Sequence, residues 1–291
     1  MRYLDGRTLR KVLPMSAAIT AMESAFGDDI QVPVRIRLGS SLFMPGWVAG
    51  TSGIKVVCVV PGNPAGLVVV FDGEGDPLGI VDGPTLTAVR TAAGCGLATR
   101  ILARPDSRTL ALLGAGAMAA DQVHAIREVR PIDDVLVWSR SRARAEALAA
   151  RVGGTAVADA DRAVEAADVV TTVTPARVPL FRPEALRPGT HVNAVGAHTP
   201  EMAEIPPAVI ERATVFVDDR EAAAAEAGDL LQAGREPDGT IADLLAGRVG
   251  GRESHDDITM FKSVGIASQD VAAAAEALLR AGEAGLGIEL G

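Results

Sequence analysis

The sequence predicts an α/β chain in two domains. One is a doubly wound parallel sheet; the other is a discontinuous α+β domain assembled from both ends of the chain. Three observations carry this. After about residue 105, nearly continuous apolar runs alternate with helix-like segments, the pattern of strands buried on both faces of a parallel sheet. Before it, short β-like runs are separated by turn residues and read as antiparallel sheet. A glycine-rich turn, Gly114 to Ala119, follows the first apolar run of the second part.

In chain order, the first element is a helix around 16-SAAITAMESAF-26, followed by strands 54-IKVVCVV-60, 67-LVVVFD-72 and 78-LGIVD-82. Asp72-Gly73, with Gly75 and Pro77, supplies a hairpin turn between the last two. The helix 82-DGPTLTAVRTAAGCGLATR-100 then carries Arg90 into an otherwise small and apolar surface. Such an arginine either snorkels to water or waits for an anion. The second part has strands at 109–114, 135–139, 168–173, 190–196 and 214–219, with helices at 117–129, 141–152 and 160–167. A last helix, 269-QDVAAAAEALLRAGEAG-285, returns to the first domain. The expected division is residues 1–104 with 269–291 against residues 105–268.

Length and composition agree with two compact domains: 291 residues, 48% hydrophobic, with few aromatics. The formal charge of -9 argues against a nucleic-acid partner, which needs a clustered basic face. Cys58 and Cys95 have no metal-ligand spacing around them, and neither do the four histidines, so no metal is expected. The N-terminus has no apolar run like a signal peptide, and no segment approaches a membrane span. A cytoplasmic location with reduced thiols is the expectation.

The turn 114-GAGAMA-119 is G-x-G-x-x-A between an apolar strand and a helix. Gly114 allows the tight turn, Gly116 lets backbone approach a pyrophosphate, and Ala119 permits close helix–strand packing. With Ala115, Ala117 and Met118, these residues form the expected cradle of a nicotinamide dinucleotide in a Rossmann-type domain, with phosphates at the helix N-terminus. At the end of the second strand, where an acidic residue would serve a free ribose 2′-hydroxyl, stands 138-WSRSR-142. Ser139, Arg140 and Arg142 suit a 2′-phosphate, which favours NADP(H) and leaves NAD(H) as the alternative. The other reading of Arg140, Arg142 and Arg144 is a solvated helix start.

Beyond this loop, the chain resembles the ornithine cyclodeaminase/μ-crystallin family over nearly its whole length. The resemblance is carried by 33-PVR-35, 44-MP-45, 53-GIKVV-57, 61-PGN-63, 85-TLTAVRTAA-93, Leu113–Ala119, 190-THVNAVGA-197, 226-EAGDL-230 and 258-ITMFKSVGIASQD-270. It implies an NAD(P)-dependent homodimer that acts on the carbon–nitrogen bond of a small amino or imino acid. The first domain would bind substrate and dimerise, and the second would bind the dinucleotide. The resemblance gives Arg90, Arg35 and Lys55 the substrate carboxylate, with Lys55 also in the chemistry. Asp229 would hold or deprotonate an amine, or protonate the imine nitrogen. Asp218 and Asp219, closing the preceding strand, are a rival location. Lys262 and Ser263 would lie near the nicotinamide, and Asn193 and Gly196 would face the cofactor from a strand end. His198 follows that strand.

Two departures from the family's pattern bear on the substrate. Val68 and Val69 stand where members often carry Pro-Thr or Gln-Thr, and the strand after Lys55 reads VVCVV rather than a polar sequence. Both imply a substrate less polar than ornithine. The leading expectation is reduction of a cyclic ketimine acid of the pyrroline- or piperideine-2-carboxylate type, or reversible amino-acid dehydrogenation. Ornithine cyclodeamination with a recycled cofactor is the second expectation. A non-catalytic NADPH-binding, μ-crystallin-like protein is the third.

Overall fold

A computed structural model describes residues 1–60 and 65–291. The motif 61-PGN-63 lies outside the described residues. The chain separates into two compact units, Met1–Gly94 with Gly265–Gly291, and Cys95–Val264. The first cut falls ten residues before the expected position because it lies inside one continuous helix, Gly83–Leu102.

The first unit is built on a mostly antiparallel sheet. Its strands run in the order Ile288–Glu289, Arg2–Leu4, Pro77–Asp82, Gly66–Phe71, Thr51–Cys58, Ser41–Val48 and Ile30–Gln31, with Ile36–Leu38 also paired to Ser41–Val48. Arg2–Leu4 runs parallel to Pro77–Asp82 and is the exception. The helices Met15–Ala25 and Ala267–Glu283 pack together, and the latter lies across the central strands. Ala273, Ala274, Ala277 and Ala281 are buried on its inner face, so small side chains set a close helix–sheet approach. Asp82 Oδ2 accepts from Thr85 N at 2.9 Å and caps the helix that carries Arg90.

The second unit holds an all-parallel sheet of eight strands. The order is Thr155–Ala156, Asp134–Trp138, Thr109–Leu113, Val169–Thr172, His191–Ala194, Thr259–Lys262, Thr214–Val217 and Gly239–Thr240. The chain starts at Thr109–Leu113, winds outward one way to Thr155–Ala156, then crosses back to Val169–Thr172 on the other side. The strand order therefore reverses beside Thr109–Leu113, where doubly wound sheets bind ligands beyond their strand ends. Leu110 to Leu113, Val169 and Val170 are fully buried, as strands covered on both faces require.

Three elements correct the sequence reading. The segment Thr259–Lys262 is a central strand, wedged between His191–Ala194 and Thr214–Val217. Ser41–Val48 is a full strand despite Pro45 and Gly46. The helix after the glycine turn begins at Ala119 rather than residue 117, so Ala117 and Met118 belong to the turn.

Candidate functional site

In the first unit, the pairing of strands decides where Lys55 points. It lies in Thr51–Cys58 in register with Met44 on one side and Val68 on the other, and both neighbours are buried. Lys55 itself is 4% exposed. Its Nζ lies 3.2 and 3.4 Å from the two carboxylate oxygens of Asp270, in the first turn of Ala267–Glu283. Arg90 reaches the same carboxylate, its Nε donating to Asp270 Oδ1 at 3.1 Å, while its Nη1 donates to Gln269 Oε1 at 2.8 Å. Arg35 is half-buried and donates to the carbonyl of Gly265, whereas Arg37 is exposed.

These charges perturb one another. Burial pushes the Lys55 ammonium down to about 8; Asp270 opposes that fall, and Arg90 and Arg35 add to it. Lys55 and Arg90 are two buried cations on the one carboxylate of Asp270, and Arg35 is close enough to Lys55 to act on its charge. Gly265 is part of the device. It has φ +78°, and a Cβ there would lie 2.5 Å from Arg90 Nη1. Val68, one of the expected apolar departures, is the cross-strand neighbour of Lys55 and fully buried.

In the second unit, the glycine turn opens directly from Thr109–Leu113. Gly114 has φ +130°, and a Cβ would come within 2.7 Å of the Val173 carbonyl oxygen. Gly114, Ala115 and Gly116 line a cavity of about 550 Å³. Trp138, Ser139 and Arg140 close one side of it and Val173 to Leu180 another. Arg144 also lines it; Arg142 does not, and instead pairs with Glu146 at 2.7 Å with its side chain 80% exposed. A glycine turn with positive φ beside a basic, open cavity fits the pyrophosphate and adenosine end of a dinucleotide.

The remaining expected residues are engaged inside the unit. Asn193 Nδ2 donates to Thr99 Oγ1 at 2.9 Å, and its Oδ1 faces His191 Nε2 at 3.3 Å, so its side chain belongs to a buried hydrogen-bond chain. Lys262 is fully buried, its Nζ 3.0 Å from Asp229 Oδ2 and 3.3 Å from the Ala194 carbonyl. Asp229 Oδ1 accepts the backbone N–H groups of Glu204 at 2.7 Å and Ile205 at 3.0 Å. Ser263 Oγ donates to Asp218 Oδ2 at 3.0 Å, and Asp219 caps the helix Arg220–Glu226. His198 Nδ1 lies 2.8 Å from the Gly196 carbonyl.

Glu204 had no role in the sequence reading. It is fully buried and accepts from Thr172 Oγ1, Thr174 N and Oγ1, and Gly196 N at 2.6–2.9 Å. Burial raises its pKa; Lys262 lowers it, and Asp229 raises it further. It ties the ends of two neighbouring strands together and holds Thr174 in the cavity wall. Its signal, the second of two glutamates in 199-TPEMAEIP-206, has no periodicity to mark it. Asp270 closes a quoted motif, yet only the fold shows that it is the shared counterion. Among the described residues, no group of acidic, histidine or cysteine side chains could hold a metal ion. Among the described residues, no helix is long and apolar enough to cross a membrane.

Comparison with known proteins follows the same lines. The model of the "Ornithine cyclodeaminase/mu-crystallin family" matches residues 12–281. A Δ1-pyrroline-2-carboxylate reductase of Bacillus cereus is 34% identical, covering 99% of this chain and 98% of the relative. The ketimine reductase mu-crystallin of Mus musculus is 34% identical over 84% of this chain and 81% of its own. Among solved structures, Δ1-pyrroline-2-carboxylate reductase of Thermococcus litoralis, in complex with NADH and L-proline, superposes with a TM-score of 0.93. It is 29% identical and covers 100% of both chains.

Proposed function

This chain belongs to the ornithine cyclodeaminase/mu-crystallin family, and we propose that it reduces a cyclic imino acid of the pyrroline-2-carboxylate type with a nicotinamide dinucleotide, NADPH in preference to NADH. The observation that carries the reading is the convergence of Lys55 and Arg90 on the single carboxylate of Asp270, with Arg35 near enough to act on the charge of Lys55. A buried excess of cations is stabilised by an anionic ligand, and a planar guanidinium grips a carboxylate through parallel hydrogen bonds.

In this proposal Arg90 and Arg35 hold the carboxylate of the imino acid and fix the orientation of its ring, which supplies much of the rate. A reduced nicotinamide, when bound, would supply the hydride that the imine carbon needs. The Lys55 ammonium, held near 8, gives its proton to the imine nitrogen and regains one from solvent, so a secondary amine leaves. Asp270 keeps both cations in place. Asp229 acts through its bonds to Lys262 and to the Glu204 segment, holding the strand ends that frame the cofactor site. Thr174, the glycine turn and Arg140, which line one cavity, would hold the dinucleotide. The same resemblance supports a homodimer, and the exposed Val34, Ile36 and Leu38 along one edge of the first unit are apolar surface for it to cover.

Cyclodeamination of ornithine is the weaker reading. The pairing of Asp229 with Lys262 and with two amides leaves it poorly suited to a second amine, and Val68 makes the wall beside Lys55 apolar. Both activities are read in one experiment. NADPH and NADH oxidation is followed with pyrroline-2-carboxylate and piperideine-2-carboxylate, and ornithine with catalytic NAD is scored for proline and ammonia. Net NADPH loss with the imines, abolished in Arg90→Ala, is the expected result. Proline and ammonia without net cofactor change would overturn it. Tight NADPH binding with no turnover of any imino acid would return the chain to the non-catalytic reading.

A further inference from the structure

We infer that Arg144, acting with Arg140 and Ser139, recognises a 2′-phosphorylated adenosine in the glycine-turn cavity, and that Arg142 has no part in it. The inference rests on the reading of that cavity as the adenosine end of the dinucleotide site, and it names which side chains set its selectivity.

Ser139, Arg140, Arg142 and Arg144 are alternatives that a sequence cannot separate. The helix Arg142–Val152 separates them. Successive residues turn by about 100° on a helix, so Arg142 and Arg144 point roughly 200° apart and cannot both face one cavity. Arg144 lines the cavity. Arg142 is directed to Glu146, one turn along, at 2.7 Å. Among the described residues, neither Arg140 nor Arg144 has an acidic partner, and no aspartate or glutamate lines the cavity. Arg140 and Arg144, on the side that carries Ser139, therefore line the same volume of about 550 Å³ as Gly114 and Gly116, with Arg177 a third arginine in its wall.

That arrangement selects by charge. A free ribose 2′-hydroxyl is served by an acidic residue, which the cavity wall does not offer. A 2′-phosphate brings a second negative group with three acceptor oxygens, and two forked guanidinium donors meet it without competition from a carboxylate. The Ser139 hydroxyl oxygen accepts from Ser141 N at 3.3 Å, which leaves its O–H to donate to an anion. Arg144 is exposed and lies in the first turn of its helix, so its truncation leaves the fold intact.

The test uses the full chain and two probes that lack nicotinamide, 2′,5′-ADP and 5′-ADP, titrated by calorimetry against wild type, Arg144→Ala and Arg142→Ala. The wild type is expected to bind 2′,5′-ADP more tightly than 5′-ADP by at least about 10-fold. Arg144→Ala should remove roughly 10-fold of affinity for 2′,5′-ADP and leave 5′-ADP unchanged, while Arg142→Ala moves neither. Equal losses in the two variants, or a wild type that does not distinguish the probes, would overturn the assignment. Imine turnover is measured separately on the same preparations. A wild type that shows the Arg144-dependent preference but turns over no imino acid sinks the reductase reading and leaves this inference standing. Turnover with NADPH whose KM for the cofactor is unmoved by Arg144→Ala does the reverse.

Discussion

Replacing Asp270 by asparagine keeps the shape of the side chain that faces both Lys55 and Arg90 and removes its charge. In the wild type its carboxylate lies 3.2 Å from Lys55 Nζ and 3.1 Å from Arg90 Nε, and its side chain is 1% exposed. Breaking a buried pair from one side costs about 3–5 kcal/mol, because the cation left behind is uncompensated. Lys55 has an escape that Arg90 lacks. Burial already holds its ammonium down to about 8 against the opposing pull of Asp270, so loss of that pull lowers it further and the amine sheds its proton nearer neutrality. A guanidinium has no such route. The net cost then lies at the lower end, about 3 kcal/mol. At about 2–4 °C per kcal/mol, the melting temperature falls by roughly 6–12 °C. Scanning calorimetry at pH 7 measures this, and the pH profile of imine reduction supplies a second readout. Its basic limb, set by Lys55, should move from near 8 to more acid pH. A melting temperature within about 2 °C of wild type, together with an unmoved basic limb, would refute the shared-counterion argument.

Arg90→Lys keeps the charge and loses the planar fork, so kcat/KM for the imino acid should drop roughly 10–100-fold through KM, with NADPH affinity unchanged. Steady-state kinetics read it; an unchanged KM counts against a carboxylate grip. Gly265→Ala forces a left-handed backbone on an L-residue, at about 1–2 kcal/mol, and places a methyl 2.5 Å from Arg90 Nη1. It should raise KM for the imino acid while the cofactor Kd stays constant, a split that general unfolding would not produce. His191 is fully buried, and burial pushes its pKa from 6.5 down to about 3. The folded chain takes up that proton only near pH 3 and the unfolded chain near 6.5, so the stability it contributes is complete above 6.5 and is lost as pH falls toward 3. Melting temperature against pH should therefore fall less steeply across that window in His191→Gln than in wild type. Parallel slopes would show that His191 does not drive the acid sensitivity.

Much of the second unit is legible as sequence because its strands are covered on both faces, which leaves unbroken apolar runs such as Thr109–Leu113 and Val169–Thr172. The glycine turn reads for a related reason: its backbone demands are local, and Gly114 at φ +130° is a residue type and a conformation together. Ser41–Val48 escapes because Pro45 and Gly46 disguise a strand whose partners supply its order. Thr259–Lys262 escapes because four residues carry no period, and only the sheet places them between strands from elsewhere in the chain.

The amino-acid order alone determined the fold class, the dinucleotide turn and the identity of Lys55, Arg90 and Arg35 as the cations to watch, since each rests on a pattern or motif read within a short window. The tertiary structure decided what those cations pair with. It brings Asp270 across 215 positions in the chain to Lys55, turns Arg144 rather than Arg142 toward the cavity, and ties Asp229 to Lys262. Charge pairing acts over a few ångströms of space and is indifferent to separation along the chain, so the partners of a buried ion emerge only once the sheets and helices are assembled.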